Sequence, residues 1–348
     1  MPSITEAQWN TKMKQGDCTG LYLIYGTENY IKQHYAETLR KKTVSPDFES
    51  FNFKRFEGKQ TTLDDVNDAV EAMPFMSETK CVLVQDYPLE TMSDTDAEKL
   101  TEILRDVPEC CALLFLMLDT APPSRKTKKW NAVFELFQKH GSVLEVNKKG
   151  TADLKKIIMG GVAKRGNAID SATAEYFIVS VGNDLNLLLG EVEKLCAYCK
   201  GRAITQADVD MVAVKSLEAS VFDIAKMLTQ GRLDRALSML DILKSQRAEP
   251  VMVHGALVSS FVNMYRVRVA AQAGKRPDAL TAVIPGLNAY ALRYAAQDAQ
   301  NLPVKSLREA LEELHRADSL LKGSAVENWL ILEQTMAALW QTLRGKKK

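Results

Sequence analysis

The sequence has little of what would mark a membrane protein, a secreted protein or an enzyme with a local signature. Nowhere in its 348 residues does an apolar run reach the roughly 18 residues that a membrane span requires. The opening stretch, MPSITEAQWNTKMKQGD, lacks the charged-then-apolar pattern of a secretory leader, so a cytoplasmic chain with no membrane partner is expected. Charge of either sign is almost cancelled, with 45 Lys and Arg against 44 Asp and Glu, a net of +1. A protein that holds DNA strongly by itself carries a clear basic excess, so any nucleic-acid role here is shared with partners or confined to patches. Histidine is scarce, at four residues far apart in sequence. Neither a metal-spaced His/Glu cluster nor a local Ser/His/Asp set is visible, although a triad assembled from distant positions stays open.

Cysteine is the next shortage. Of six cysteines, Cys196 and Cys199 spell C-x-x-C, but no second pair completes a zinc site: Cys110 and Cys111 are adjacent, and Cys18 and Cys81 are isolated. Within LLLGEVEKLCAYCKG the two thiols fall three residues apart on a helix, where cysteine acts as a small buried hydrophobe.

A phosphate loop is begun and not finished. The apolar run Leu21–Tyr25 stops at Gly26, and Ile31, Tyr35 and Leu39 then recur at helical spacing, giving strand, glycine turn, helix. A working loop needs G-x-x-x-x-G-K-[ST], because glycine-rich backbone amides wrap the phosphates, lysine reaches them and the hydroxyl holds magnesium. Here the run from Gly26 to Gln33 lacks the second glycine and the hydroxyl after Lys32, and puts Glu28 where phosphates would sit. The turn is therefore expected to be structural, with no nucleotide or other cofactor bound. The acidic strand-end residues of an ATPase, usually Asp-Glu, are also reduced, to Asp86-Tyr87 and Asp119-Thr120.

What is present is α/β alternation followed by helices. Strand-like segments at 21–25, 51–56, 81–86, 112–118 and 142–146 alternate with helical ones, which predicts a mostly parallel sheet over residues 1–147. A first helical part is expected over 148–214, with Asp170 and Thr205/Asp208 as caps and Gly182 as a stop, and a second over 215–348. The fold class expected is an α/β N-terminal domain followed by two all-α domains.

One segment stands apart as a candidate site. In TTLDDVNDAVEAMPFMSETK, residues Leu63, Val66, Ala69, Val70 and Met73 read as one helical face, after Thr61 or Thr62 as a cap. Pro74 drives Met73 out of helical geometry, so the helix should end there with Phe75 and Met76 at its tip. Two large apolar side chains at such a place are either tucked into the domain or offered to a partner; burying each is worth about 1.5 to 3 kcal/mol.

Taken in order, YLIYGTENYIKQ, MPFMSETKCVLVQD, VGNDLNLLLGEVEKL, ITQADV, VFDIAKMLTQGRLDRAL and ADSLLKG resemble, over nearly the whole chain, the delta subunit of the bacterial DNA polymerase III clamp loader. The resemblance implies an AAA+-like α/β domain (1–147), a small helical lid (148–214) and a helical collar (215–348) through which five loader subunits form a ring. It implies a non-catalytic subunit of a DNA-directed DNA polymerase holoenzyme, without ATPase activity. In agreement, the arginine that active loader subunits carry after G-D-x in the lid is matched here by Asn186, which cannot supply its charge. It further implies that Met73, Pro74, Phe75 and Met76 form an apolar wedge that binds the sliding clamp and favours an opened ring. Methionine in the second place departs from the commoner aromatic, but its flexible thioether fills an apolar pocket. Primer-template DNA is implied as a partner of the assembled loader, and SRKTKK makes Arg125, Lys126, Lys128 and Lys129 candidates for phosphate contact. Two rival readings remain at this level: an active P-loop NTPase with a deviant site that depends on Lys32, and a helical DNA-binding adaptor unrelated to clamp loading.

Overall fold

A computed structural model describes residues 3–119, 128–284, 287 and 289–344. The chain divides into two compact units, Met1–Gly150 and Thr151–Lys348. No helix among the described residues is long and apolar enough to cross a membrane.

The first unit is a five-stranded parallel sheet flanked by helices. In chain order it runs α1 (Glu6–Gln15), β1 (Gly20–Tyr25), α2 (Asn29–Thr43), α3 (Glu49–Asn52) and β2 (Phe53–Glu57). Then follow α4 (Leu63–Glu71), β3 (Lys80–Gln85), α5 (Asp94–Arg105), β4 (Cys111–Leu116), α6 (Lys128–His140) and β5 (Ser142–Glu145). The strand order is β2-β3-β4-β1-β5. Every pairing is parallel, with Leu23 opposite Phe115 and Val143, and Val82 opposite Leu113 and Lys54. Strands β1, β3 and β4 are buried on both faces, which is why they read as unbroken apolar runs rather than alternating ones. Leu23, Val84, Leu113 and Phe115 lie in the core with Trp130 and Phe137 of α6.

Residues 51–56 depart from the sequence expectation. Phe51 and Asn52 belong to α3, and the strand starts only at Phe53. Pro46 sets the first position of the 3-10 turn Pro46–Phe48, and the helical path it begins runs on through α3. Phe51 and Phe53 alternate as a strand would in sequence, yet the preceding turn captures the first of them.

The second unit is helical. Helices α7 (Thr151–Lys164), α8 (Ser171–Val181), α9 (Leu185–Cys199) and α10 (Gln206–Val212) enclose a short parallel pair, β6 (Ala168–Ile169) with β7 (Ala203–Ile204). Asp170 caps α8 by accepting from the amides of Ala172 and Thr173, Gly182 ends it at φ 102°, and Thr205 and Asp208 form a capping box on α10. Cys196 and Cys199 are buried in α9, and burial pushes both thiols above their ordinary pKa. The remaining helices are α11 (Leu217–Thr229), α12 (Leu233–Ser245), α13 (Pro250–Gln272), α14 (Ala279–Val283), α15 (Ala289–Asp298), α16 (Val304–Gly323) and α17 (Asn328–Arg344). Helices α11, α15, α16 and α17 pack on α13, whose Leu257, Phe261 and Met264 are buried with Leu314 of α16 and Leu339 of α17, and α12 packs on α11 and α17.

Candidate functional site

Two places in the first unit carry the functional question: the turn after β1 and the segment after α4.

At the turn, Gly26 has φ 125°, a left-handed conformation that favours glycine, and a Cβ there would lie 2.2 Å from the carbonyl oxygen of Val146. The glycine is thus required by the close passage of the chain beyond β5. The first two amides of the loop are engaged within the domain. The Glu28 amide donates to the Val146 carbonyl at 3.1 Å, and the Thr27 amide donates to Asn147 Oδ1 at 3.3 Å. Lys32, the lysine a phosphate loop would aim at its ligand, is fully buried. Its Nζ donates to the Gly26 carbonyl at 2.7 Å and also to the carbonyl of Met117. Burial pushes its amine down to about 8, against the opposing pull of the carboxylates of Asp86, Glu28 and Asp119. Asp86, at the end of β3, is buried at φ 52°, and its Oδ1 accepts from the amides of Leu118 at 2.7 Å and Asp119 at 2.9 Å. The strand-end aspartate therefore closes a turn. Where an ATPase holds phosphate and magnesium, the described residues of this chain form an internally bonded cluster around Lys32.

The second place is built from α4 outward. Thr62 opens the helix with a capping box to Asp65, and Leu63, Val66 and Val70 bury its inner face. The helix ends at Glu71, two residues before the expected Met73, and Met73 is not part of the buried face: it is 83% exposed. Proline accounts for Met73 leaving helical geometry. The earlier stop has a second cause. Lys80, buried at the first position of β3, donates its Nζ to the carbonyls of Ala69 at 2.8 Å, Val70 at 2.5 Å and Ala72. A cation on the last carbonyls of a helix satisfies groups that have no intrahelical partner and complements the helix dipole.

Beyond that cap the chain turns outward. Phe75 is 48% exposed and Met76 72%, the latter at φ 46°. The Phe75 ring is not alone. It lies against Phe51 of α3, with centroids 4.7 Å apart and planes at 36°, and meets Phe48 edge-on at 6.1 Å. Phe51 is itself 60% exposed. Met73, Phe75, Met76 and Phe51 thus carry large apolar side chains to one corner of the unit, and Asn52, beneath them, hydrogen-bonds the Phe75 backbone. Sequence reasoning singled out Phe75 and Met76 through the proline-terminated helix, and the family resemblance added Met73 and Pro74. It missed Phe51, Asn52 and Lys80, the first two because they were assigned to a strand. The turn signal Ser45-Pro46-Asp47 just before them is the feature that could have moved them to a helical turn.

Of the basic candidates, Arg125 and Lys126 lie outside the described residues. Lys128 begins α6, and Lys129 is exposed with its Nζ 3.8 Å from the carboxylate of Asp94. Asn186 sits exposed in the first turn of α9, after the N-cap Asp184.

The profile of the family described as DNA polymerase III, delta subunit, matches residues 22–147, and that of its C-terminal domain matches residues 218–339. The chain belongs to the DNA polymerase III delta subunit family. Among its relatives, DNA polymerase III subunit delta of Bacillus subtilis (strain 168) is 22% identical over 330 residues, covering 92% of this chain and 93% of the relative. A probable subunit delta of Aquifex aeolicus (strain VF5) is 21% identical over 263 residues, covering 73% and 72%. Of solved structures, the Bacillus subtilis DNA clamp loader delta protein (YqeN) superposes with a TM-score of 0.58 at 20% identity, over 96% of this chain and 99% of that one.

Proposed function

We propose that this protein is a non-catalytic subunit of a cytoplasmic clamp loader, and that it binds the sliding clamp through the apolar tip formed by Met73, Pro74, Phe75 and Met76. The observation that carries this reading is the exposure of Phe75 and Met76 directly after a helix whose own apolar face is fully packed. Leaving such side chains in water forgoes roughly 1.5 to 3 kcal/mol each, which a complementary apolar cleft recovers on binding. The wedge helps open the clamp only if it binds the open or strained ring more tightly than the closed one, since equal affinity for both shifts nothing.

In this reading the chain acts in three parts, an α/β domain over 1–147, a lid over 148–214 and a collar over 215–348, the last joining it to the other subunits of a five-membered ring. ATP is bound by neighbouring subunits and not by this one, because the lysine of its own loop and the amides of Thr27 and Glu28 are committed internally. Primer-template DNA is met within the assembled loader, with Arg125, Lys126, Lys128 and Lys129 as candidate phosphate contacts. The test is co-elution of the purified chain with the sliding clamp of the same organism on gel filtration, repeated with Phe75→Ala/Met76→Ala. Co-elution of the wild type and its loss in the variant are expected; equal co-elution of both overturns the reading.

A further inference from the structure

The conformation of the tip is not one its own residues favour. Met76 holds a left-handed backbone, which is uncommon and costly for a large side chain and persists only where surrounding structure over-determines it. Lys80 on the Ala72 carbonyl and the packing of the Phe75 ring on Phe48 and Phe51 are part of that structure, and one more side chain grips the backbone next to Met76. Asn52, buried at the end of α3, reaches both polar groups of Phe75: its Nδ2 donates to the Phe75 carbonyl at 2.9 Å, and its Oδ1 accepts from the Phe75 amide at 2.7 Å. Asparagine suits this task because it carries one donor face and one acceptor face a single carbon from the backbone. Aspartate lacks the donor, leucine has the shape without either, and glutamine is one methylene too long. The neighbouring residue, Phe51, stacks on the Phe75 ring and stays open to solvent on its other side.

We propose that the end of α3 is the second half of the docking tip: Asn52 is a positioning residue that presets Phe75 and Met76 for the clamp, and Phe51 is a further apolar contact in the same cleft. The inference rests on the clamp-binding reading and deepens it. A tip fixed before contact loses less conformational freedom on binding, and apparent affinity falls in proportion to the fraction of molecules holding the competent conformation. Phe51 is included because its ring and that of Phe75 form one continuous surface. A cleft that covers the exposed side of Phe75 therefore meets Phe51 as well.

The experiment measures binding of the full chain to the purified sliding clamp by surface plasmon resonance, alongside hydrogen exchange at the Phe75 amide and thermal unfolding. Asn52→Leu is expected to abolish protection of the Phe75 amide and to weaken clamp binding about 10-fold, the scale of one or two neutral hydrogen bonds. Asn52→Asp, which keeps the acceptor, is expected to retain part of the amide protection; it serves in the same comparison should the leucine variant fail to fold. Phe51→Ala is expected to weaken binding about 5- to 10-fold with the Phe75 amide still protected. A merely structural role is separated by a double-mutant cycle: added to Phe75→Ala/Met76→Ala, Asn52→Leu is expected to cost no further affinity, because its effect passes through those side chains. Unchanged clamp affinity in a folded Asn52 variant whose Phe75 amide exchanges faster than in the wild type overturns the inference and leaves the docking reading standing. Unchanged affinity in Phe75→Ala/Met76→Ala overturns both.

Discussion

Lys32 shows how one residue can keep its place in a motif while changing its work. In a phosphate loop the lysine is a free cation waiting for an anion, whereas here its ammonium is sealed against the carbonyls of Gly26 and Met117. Lys32→Ala removes the donor for both carbonyls and leaves a cavity, so a loss of about 3 kcal/mol is expected in urea unfolding. The pH dependence has a definite sign. Burial pushes this amine from 10.5 down to about 8, so between those values the native state holds fewer protons than the unfolded chain. Stability contributed by Lys32 therefore rises with pH across that window and is smallest below it. The deficit of a Lys32→Met variant relative to the wild type is expected to be larger at about pH 10 than at about pH 7.5, by urea denaturation at each. A deficit that shrinks with rising pH would contradict the burial assigned to this amine. The missing second glycine and hydroxyl were legible in the sequence; the inward turn of the lysine was not, since it depends on the Met117 carbonyl, 85 residues away.

At the scale of elements, α4 is held at both ends by side chains of different kinds. Its start was legible because a threonine with an acidic residue three positions later is a local pattern. Its end was only half legible. Pro74 is a local stop, but the cation that draws the chain away at Ala72 comes from β3, and a lysine at a strand start carries no signal in sequence that it caps a helix. Lys80→Met keeps the length of the side chain and removes the donors. An expected loss of about 2 to 3 kcal/mol, the range of hydrogen bonds to a charged group, should appear in thermal unfolding. Faster hydrogen exchange at the Ala72 amide, which closes the last turn on Asp68, should accompany it. The same limit explains 51–56. Alternating phenylalanines imitate a strand, and only the fold reveals that Phe51 and Asn52 have been taken by the turn beginning at Pro46 to support a segment more than 20 residues later.

Across the whole molecule, the parallel sheet and the long helices were the legible part. Buried strands such as β4 and amphipathic helices such as α16 write their environment into their own residues. Helix α12 begins and ends where LDRALSMLDILKS does, whereas α14 is five residues long with no buried residue and left no pattern to read. A sheet with the order β2-β3-β4-β1-β5 offers a ligand site beyond the carboxyl end of β1. In this chain Lys32, Asp86 and the amides of Thr27 and Glu28, which could serve it, are bonded within the domain. Titration calorimetry of magnesium ATP into the isolated chain is accordingly expected to give no binding heat, and saturable binding that is lost in Lys32→Ala would contradict that account. The proposed function moves binding from the pocket of the fold to its corner, where the apolar tip stands. The most direct test of that shift is the dissociation constant for the sliding clamp, measured for the wild type and for Phe75→Ala/Met76→Ala at equal thermal stability. Loss of two central apolar contacts predicts binding weaker by about 100-fold or more; the same dissociation constant for both would contradict it.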